Sequence, residues 1–241
     1  MTLSRRDAMI ASSSAVAGLA LATMTGTQAS AQVQPPQEAW PDQLVDKGIN
    51  PAFPGPLPLL PDGSAPEHAE SEAGPITGRL MWHTADRKTP PGEADYRKMA
   101  IKVDTRGLGK LAGTLHFADL EKLPRVSRTF LLQCGTPEPH GIVKWTGVKF
   151  SDFADMLGLV PHAYYCRFIA ADQNFYIDEA VGTLRHPQVM LAWMMNDQPI
   201  PPDHGAPLRL IVPFRYGNRS IKAIKEISFS SGTMPPPPSP V

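Results

Sequence analysis

The chain has 241 residues, and its 23 Lys and Arg balance 23 Asp and Glu, so the formal charge is zero. That balance excludes a nucleic-acid surface or a membrane patch that works by net positive charge. With 42% hydrophobic residues there is enough apolar surface for a sizeable core, and 27 prolines place much of the remainder in loops and extended arms.

The N-terminus reads as an export leader. Ser4-Arg5-Arg6 precedes a weakly apolar run, Ala8 to Met24, which closes at Ala29-Ser30-Ala31, a small-x-small cleavage pattern. The run is too short and too rich in Ala, Ser and Gly for a membrane helix. Paired arginines ahead of a weak apolar run indicate the twin-arginine route. Residues 1–31 are therefore expected to be removed, leaving a near-neutral periplasmic chain without a membrane span. Residues 32–75 are Pro-rich and predict an extended arm, laid on the core through Trp40, Phe53 and Leu57–Leu60. Residues 233–241, from "TMPPPPSPV", predict a flexible tail.

The domain between them, 76–232, predicts an α+β fold of short strands and a few helices. "YRKMAIKVDT" alternates at Met99, Ile101 and Val103 and predicts a strand, as does "GKLAGTLHF". "ADLEKLP" opens like a helix near Asp119 and stops at Pro124. "SRTFLLQC" is a buried strand running into Cys134, with an irregular loop after it. "VKFSDFADMLGLV" has apolar residues at helical spacing, Ser151 as N-cap and Gly158 as its end. "YYCRFIAAD" and "FYIDEAV" predict strands, and "HPQVMLAWMMN" a short helix or strand before an "NDQP" turn. "APLRLIVPFRYG" is a strand interrupted at Pro213, and "IKAIKEISFS" is the last strand.

The chemistry turns on Cys134. The chain has two cysteines, and in an exported protein they suggest a disulfide with Cys166. Cys166 lies inside an apolar strand pattern, which is core packing. Cys134 stands at a strand end before a Gly- and Pro-rich loop, which is a presented side chain. No thiol-hydrolase signature accompanies it, and no further thiol or imidazole ligands stand at zinc spacing. On residues alone, apolar filler ranks first, disulfide second and metal ligand third. By the same measure Arg209 is a strand-end ion-pair residue and Lys222 a solvated edge lysine.

Two ordered blocks change that ranking. "LLQCGTPEPHGIVKWTGVKFSDFADMLGL" gives strand, lone cysteine, loop, Trp-x-Gly-Val and a short helix. "HPQVMLAWMMNDQPIPPDHGAPLRLIVPFRYGNRSIKAIKEISF" gives Leu-Ala-x-x-x-Asn, His-Gly-x-Pro-Leu-Arg-Leu, Tyr-Gly and Ser-Ile-Lys in order. From about Met81 to Phe229 the sequence resembles the molybdopterin domain of the sulfite oxidase family, in particular its twin-arginine-exported single-domain members. The resemblance implies a molybdenum–molybdopterin cofactor, with Cys134 ligating the metal through its thiolate. A soft sulfur donor suits such a metal, and coordination keeps the thiol deprotonated. It further implies that His204, Arg209, Ser220, Ile221 and Lys222 bind the cofactor, whose anionic tail calls for cations and N–H groups. His83 matches an early segment of the family in degraded form.

Sulfite-oxidising members carry arginine just after the cysteine. Here that loop is "CGTPEPHG", with Glu138 and no arginine, which disfavours a dianion. Trp193 stands where the family often has tyrosine, and an indole N–H donates but is no phenolic acid. His140 and Trp193 are candidate catalytic residues, and Arg215 and Arg219 are further sources of charge. The implied reaction is two-electron oxygen-atom transfer on a small sulfur compound such as a sulfoxide. The alternatives are a sulfite dehydrogenase and a non-catalytic relative acting as a binding module. The chain has no haem motif, so electrons are expected to pass to a separate c-type cytochrome or a membrane haem or quinone protein. Without the dimerising domain of some relatives, a monomer is expected.

Overall fold

The computed structural model describes residues 56–77, 82, 87–88, 90–135, 138–172 and 175–237. The leader, the arm up to residue 55 with Trp40 and Phe53, His83, and residues 238–241 lie outside the described residues. Among the described residues no helix is long and apolar enough to cross a membrane.

Two sheets carry the domain. The first has the order β2-β1-β10-β5-β6, built from β1 (Ala100–Asp104), β2 (Gly113–His116), β5 (Tyr165–Ala170), β6 (Tyr176–Ala180) and β10 (Ile224–Ser230). Its pairs are antiparallel except β1 with β10. The second has the order β3-β4-β7-β8 with β9 also on β7: β3 (Arg125–Gln133), β4 (His140–Lys149), β7 (Met190–Met195), β8 (Gln198–Pro199) and β9 (Arg209–Ile211). Three short helices join them: α1 (Phe117–Leu120), α2 (Phe150–Met156) and α3 (Val181–Leu184). The α+β expectation holds.

The main core lies between the sheets. Ile101, Val103, Phe168, Ile227 and Phe229 from the first sheet meet Val148, Leu191, Trp193 and Leu210 from the second. The opposite face of the second sheet is also buried. Phe130, Leu132, Val143, Trp145, Met190, Ala192 and Ile211 form a second cluster there, closed by Ala65 of the arm. Burial on both faces explains why β4 was not legible as a strand. Gly141, Lys144, Thr146 and Gly147 break the apolar alternation, and their places are set by neighbours, not by a core-facing period.

The second sheet contains a bulge. Thr146 pairs with Met194 and Gly147 with Ala192, so Trp193 is the extra residue of β7. A Cβ on Gly147 would stand 1.9 Å from the Leu191 carbonyl oxygen and 2.7 Å from the Ala192 Cα. That is the physical meaning of the Trp-x-Gly-Val motif. β7 then turns at Asn196 (φ 50) and Asp197 (φ 63), left-handed positions suited to a two-residue hairpin.

The arm is held along residues 65–77. Ala65 N–H donates to the Gln188 side chain and the Gln188 amide returns a bond to the Ala65 carbonyl, at 2.9 and 2.7 Å. Glu67 bridges Phe130 on β3, and Thr77 bridges His140 on β4. Asn196 donates to the Gly74 carbonyl at 2.8 Å, and Lys144 pairs with Glu70 at 2.8 Å. Each of the backbone and amide bonds is worth about 1 kcal/mol net, and the set makes the arm part of the fold.

Two expectations are corrected. Ser151 does not cap α2. The cap is Lys149 without a side-chain bond, because β4 runs directly into the helix and Phe150 N–H is taken by the Val189 carbonyl. The expected flexible tail is pinned at two residues. Arg167, paired with both carboxylate oxygens of Asp178 at 2.6 Å, also donates to the carbonyls of Met234 and Pro235.

Gly147→Ala is expected to lower the unfolding free energy by about 3 kcal/mol or more, because the clash is with rigid backbone. Urea denaturation against the parent chain measures this, and an unchanged midpoint would contradict the bulge geometry.

Candidate functional site

Cys134 is the residue after β3, half-buried, with its N–H on the Pro139 carbonyl at 3.0 Å. Both thiols are free, so the disulfide reading is set aside. Cys166 is buried in the main core, where desolvation pushes its thiol well above the ordinary range. Strand alternation carries Cys134 onto the face of Phe130 and Leu132, the face of the second cluster. Gly217, in a 3-10 turn (Gly217–Arg219), packs against the Gln133 carbonyl beside it.

Arg209 opens β9 opposite Ala192 and leaves on the same face. It is 4% exposed, with its guanidinium carbon 5.1 Å from the centre of the Trp145 ring. Nη1 donates to the His204 carbonyl at 2.8 Å, while Nε is buried without a partner among the described residues. No carboxylate pairs with it there. Burial alone pushes its pKa down to about 9.

His204 ends a 3-10 turn (Pro202–His204). Its Nδ1 is also buried without a partner among the described residues. Burial, then the charges of Arg209 and Lys222, lower its pKa. Gly205 follows at φ +108, and a Cβ there would stand 2.7 Å from the Lys222 Cβ. The Ala223 N–H closes on the Gly205 carbonyl at 3.0 Å. The "HGAPLRL" and "SIK" blocks are thus locked together by a glycine that only a missing side chain permits. Lys222 lies half-buried with its ammonium 3.9 Å from the Trp82 ring centre and 3.5 Å from the Asp203 carbonyl. Desolvation, then Arg209, lower its pKa to about 8, against the opposing pull of Asp172 and Asp203.

The other expected residues divide. Ser220 is buried, and its hydroxyl accepts the Val212 N–H at 3.0 Å; Ile221 offers its carbonyl to the Leu210 N–H. Both shape the backbone beside Lys222. Arg219 reaches β6, where it pairs with Glu179 at 2.7 Å. Trp193, expected to be catalytic, is a core residue: 2% exposed, it packs on Phe117 and Tyr96, on the sheet face opposite Arg209. Strand alternation from Leu191 puts it there. The exposed His140 is paired through its backbone to Thr77, whose hydroxyl lies 3.2 Å from Nδ1, so its place is a clasp between arm and sheet. Trp145 and Trp82 were not foreseen. Trp145 was legible as a motif residue, but its contact with Arg209 depends on pairing across three strands.

These groups can hold an anion. Arg209, buried with Nε left over and no carboxylate paired to it among the described residues, and the ammonium of Lys222 nearby are a donor set suited to a phosphate. Among the described residues no three His, Cys, Asp or Glu side chains converge as a metal site. A metal held by Cys134 would need its other ligands from a bound cofactor, and the charges of Arg209 and Lys222 suit the anionic tail of a pterin.

The pH dependence follows from the signs. Both bases have folded pKa values below their ordinary ones, so the unfolded chain binds more protons in alkaline solution. Stability of the cofactor-free chain should then rise as pH goes from about 8 toward 10, as Lys222 (about 8) and Arg209 (about 9) discharge. Pyrophosphate should flatten that rise by compensating the charges, and Lys222→Met should reduce it. Melting temperatures across this range, with and without pyrophosphate, decide it; a profile that falls with pH contradicts the burial of these two bases.

Comparison with known proteins agrees. The oxidoreductase molybdopterin-binding domain family matches residues 88–236. A protein-methionine-sulfoxide reductase catalytic subunit, MsrP, of Xanthomonas campestris is 34% identical over 164 residues, 60% of this chain and 49% of that protein. An NADPH nitrate reductase of Fusarium oxysporum is 37% identical over 92 residues, 36% of this chain and 10% of that protein. The chain thus spans about half the length of the MsrP relative. Among solved structures, the sulfane dehydrogenase SoxCD of Paracoccus pantotrophus shares the fold with a TM-score of 0.53 at 19% identity, over 59% of this chain and 40% of that one. With most of its described core inside the matched segment, the chain belongs to the oxidoreductase molybdopterin-binding domain family, a sulfite oxidase-like enzyme fold whose cofactor is molybdenum–molybdopterin.

Proposed function

We propose that the protein is a periplasmic enzyme that reduces a small, neutral sulfoxide, with electrons from a separate c-type cytochrome or membrane haem or quinone protein. The balance is one sulfoxide, two electrons and two protons giving one sulfide and one water. The bound cofactor supplies the two-electron oxygen-atom exchange. Cys134 holds its metal by a thiolate. Arg209, oriented by Trp145 and the His204 carbonyl, and Lys222, covered by Trp82, hold its anionic tail. Ser220 and Ile221 keep the backbone at Lys222 in place. Because Trp82 lies on Lys222, its neighbour His83 is proposed as a further contact.

The observation that carries the substrate class is the loop closed by the Cys134–Pro139 bond. Its sequence holds Glu138 and no cation, and Arg219 is spent on Glu179. A loop of that composition favours a neutral S=O group over a dianion. The methionine-sulfoxide reductase activity for which the MsrP relative is named supports the same reading. A second reading, sulfite dehydrogenation, is favoured by Arg215, exposed on the loop that packs Gly217 against Gln133.

Metal analysis of protein exported by a cofactor-competent host should give about one molybdenum per chain, lost in Cys134→Ser. Sulfoxide-dependent oxidation of a reduced viologen should exceed sulfite-dependent reduction of cytochrome c, and Glu138→Arg should shift the ratio toward sulfite. Faster sulfite turnover in the parent would install the second reading, and a chain without molybdenum would make it a binding module.

A further inference from the structure

The β3–β4 hairpin that carries Cys134 overhangs its sheet. β7 pairs with β4 only from Trp145 to Lys149, whereas β3 pairs with β4 as far as His140. Residues 140–142 therefore lack β7 on their second side, and Cys134 sits at the overhanging tip. A two-stranded tip is weak by itself, since a hairpin needs a third strand or a packed face.

The arm supplies that third strand. Thr77 N–H donates to the His140 carbonyl at 2.8 Å and His140 N–H returns a bond to the Thr77 carbonyl at 3.3 Å. Gly74 N–H donates to the Ile142 carbonyl at 2.8 Å. Between them Gly141 comes so close that a Cβ would stand 2.7 Å from the Pro75 carbonyl oxygen. The Thr77 hydroxyl donates to the His140 carbonyl at 3.0 Å. The same hydroxyl lies 3.2 Å from the His140 Nδ1. The other end of the strap is fixed independently. Glu67 bridges Phe130, and His68 N–H bonds the Thr129 carbonyl. The strap thus grips both strands that enter and leave the Cys134 loop, and Asn196 ties its middle to the β7 turn.

We propose that residues 74–77 are a positioning element for the Cys134 thiol, with Thr77 as the positioning residue that acts through His140. The loop from Cys134 to Pro139 is anchored on one side by β3 and on the other by the strapped start of β4. Release of the strap frees the tip and lets the thiol leave its fixed direction, while the core on both sheet faces stays closed. The proposal rests on Cys134 being the metal ligand only for its consequence, cofactor retention. The positional claim concerns the thiol itself.

The test uses the full mature chain in two states. In protein made without cofactor, the alkylation rate of Cys134 by iodoacetamide is measured, with the buried Cys166 as internal reference. Thr77→Val keeps the side-chain shape and removes the hydroxyl. It should speed Cys134 labelling by about fivefold, the factor that loss of one such hydrogen bond gives, and Thr77→Ser should restore the parent rate. Gly141→Ala, which pushes Pro75 off β4, should give a larger increase. In the loaded protein the same variants should lose molybdenum faster on dialysis in the same order.

Unchanged Cys134 labelling in both folded variants overturns the proposal. So does parallel labelling of Cys166, which would mean general loosening. A Cys134→Ser chain that retains its molybdenum overturns the ligand assignment instead, and the labelling rates still judge the strap.

Discussion

A guanidinium buried without a carboxylate is the constraint on which the site depends. Arg209 sits under the Trp145 ring with one bond to a backbone carbonyl and an unpartnered Nε. Leaving a charge in that state is costly, and its pKa falls to about 9 as a result. The surroundings are arranged to tolerate it. Trp145 offers a π-face where a carboxylate would otherwise stand. The His204 turn supplies its carbonyl, and Gly205 brings Lys222 alongside. A second cation there worsens the repulsion in the empty site and strengthens the grip on an anion that arrives. The same arrangement that weakens the empty chain is the one that would suit a negatively charged tail.

Much of the fold was legible because its strands keep simple patterns. β1 buries Ile101 and Val103 and exposes their neighbours, and β10 and β5 meet as apolar runs in the main core. The second sheet was harder. Its two faces are both buried, so β4 reads as an irregular mixture. Gly147 marks a bulge whose existence depends on Leu191, more than forty positions away in the sequence. The motif slot of Trp193 suggested chemistry, and strand alternation places the ring in the main core beside Leu191.

The candidate site residues came by a different route. Nothing in the spacing of Cys134, His204, Arg209 and Lys222 singles them out; only the ordered blocks pointed to them. The structure adds the reason the blocks travel as a set. The left-handed glycine after His204 needs the Lys222 backbone beside it, and the Asn after Leu-Ala-x-x-x holds both the β7 turn and the strap. Arg219, a candidate for substrate charge by composition, is absorbed by Glu179 on the neighbouring sheet. A lone sequence cannot show that pairing.

The strap has a further consequence in the order of assembly. Its partners all lie downstream: Arg128 is 61 residues beyond Glu67, His140 is 63 beyond Thr77, and Gln188 is 123 beyond Ala65. Contacts of such separation carry the loop-closure cost of everything between them. A chain synthesised from its N-terminus holds this segment unpaired until β3 and β4 exist, and its bonds to Gln188 and Asn196 wait for β7 and its turn. The first part of the described domain to be made is therefore among the last that can be put in place.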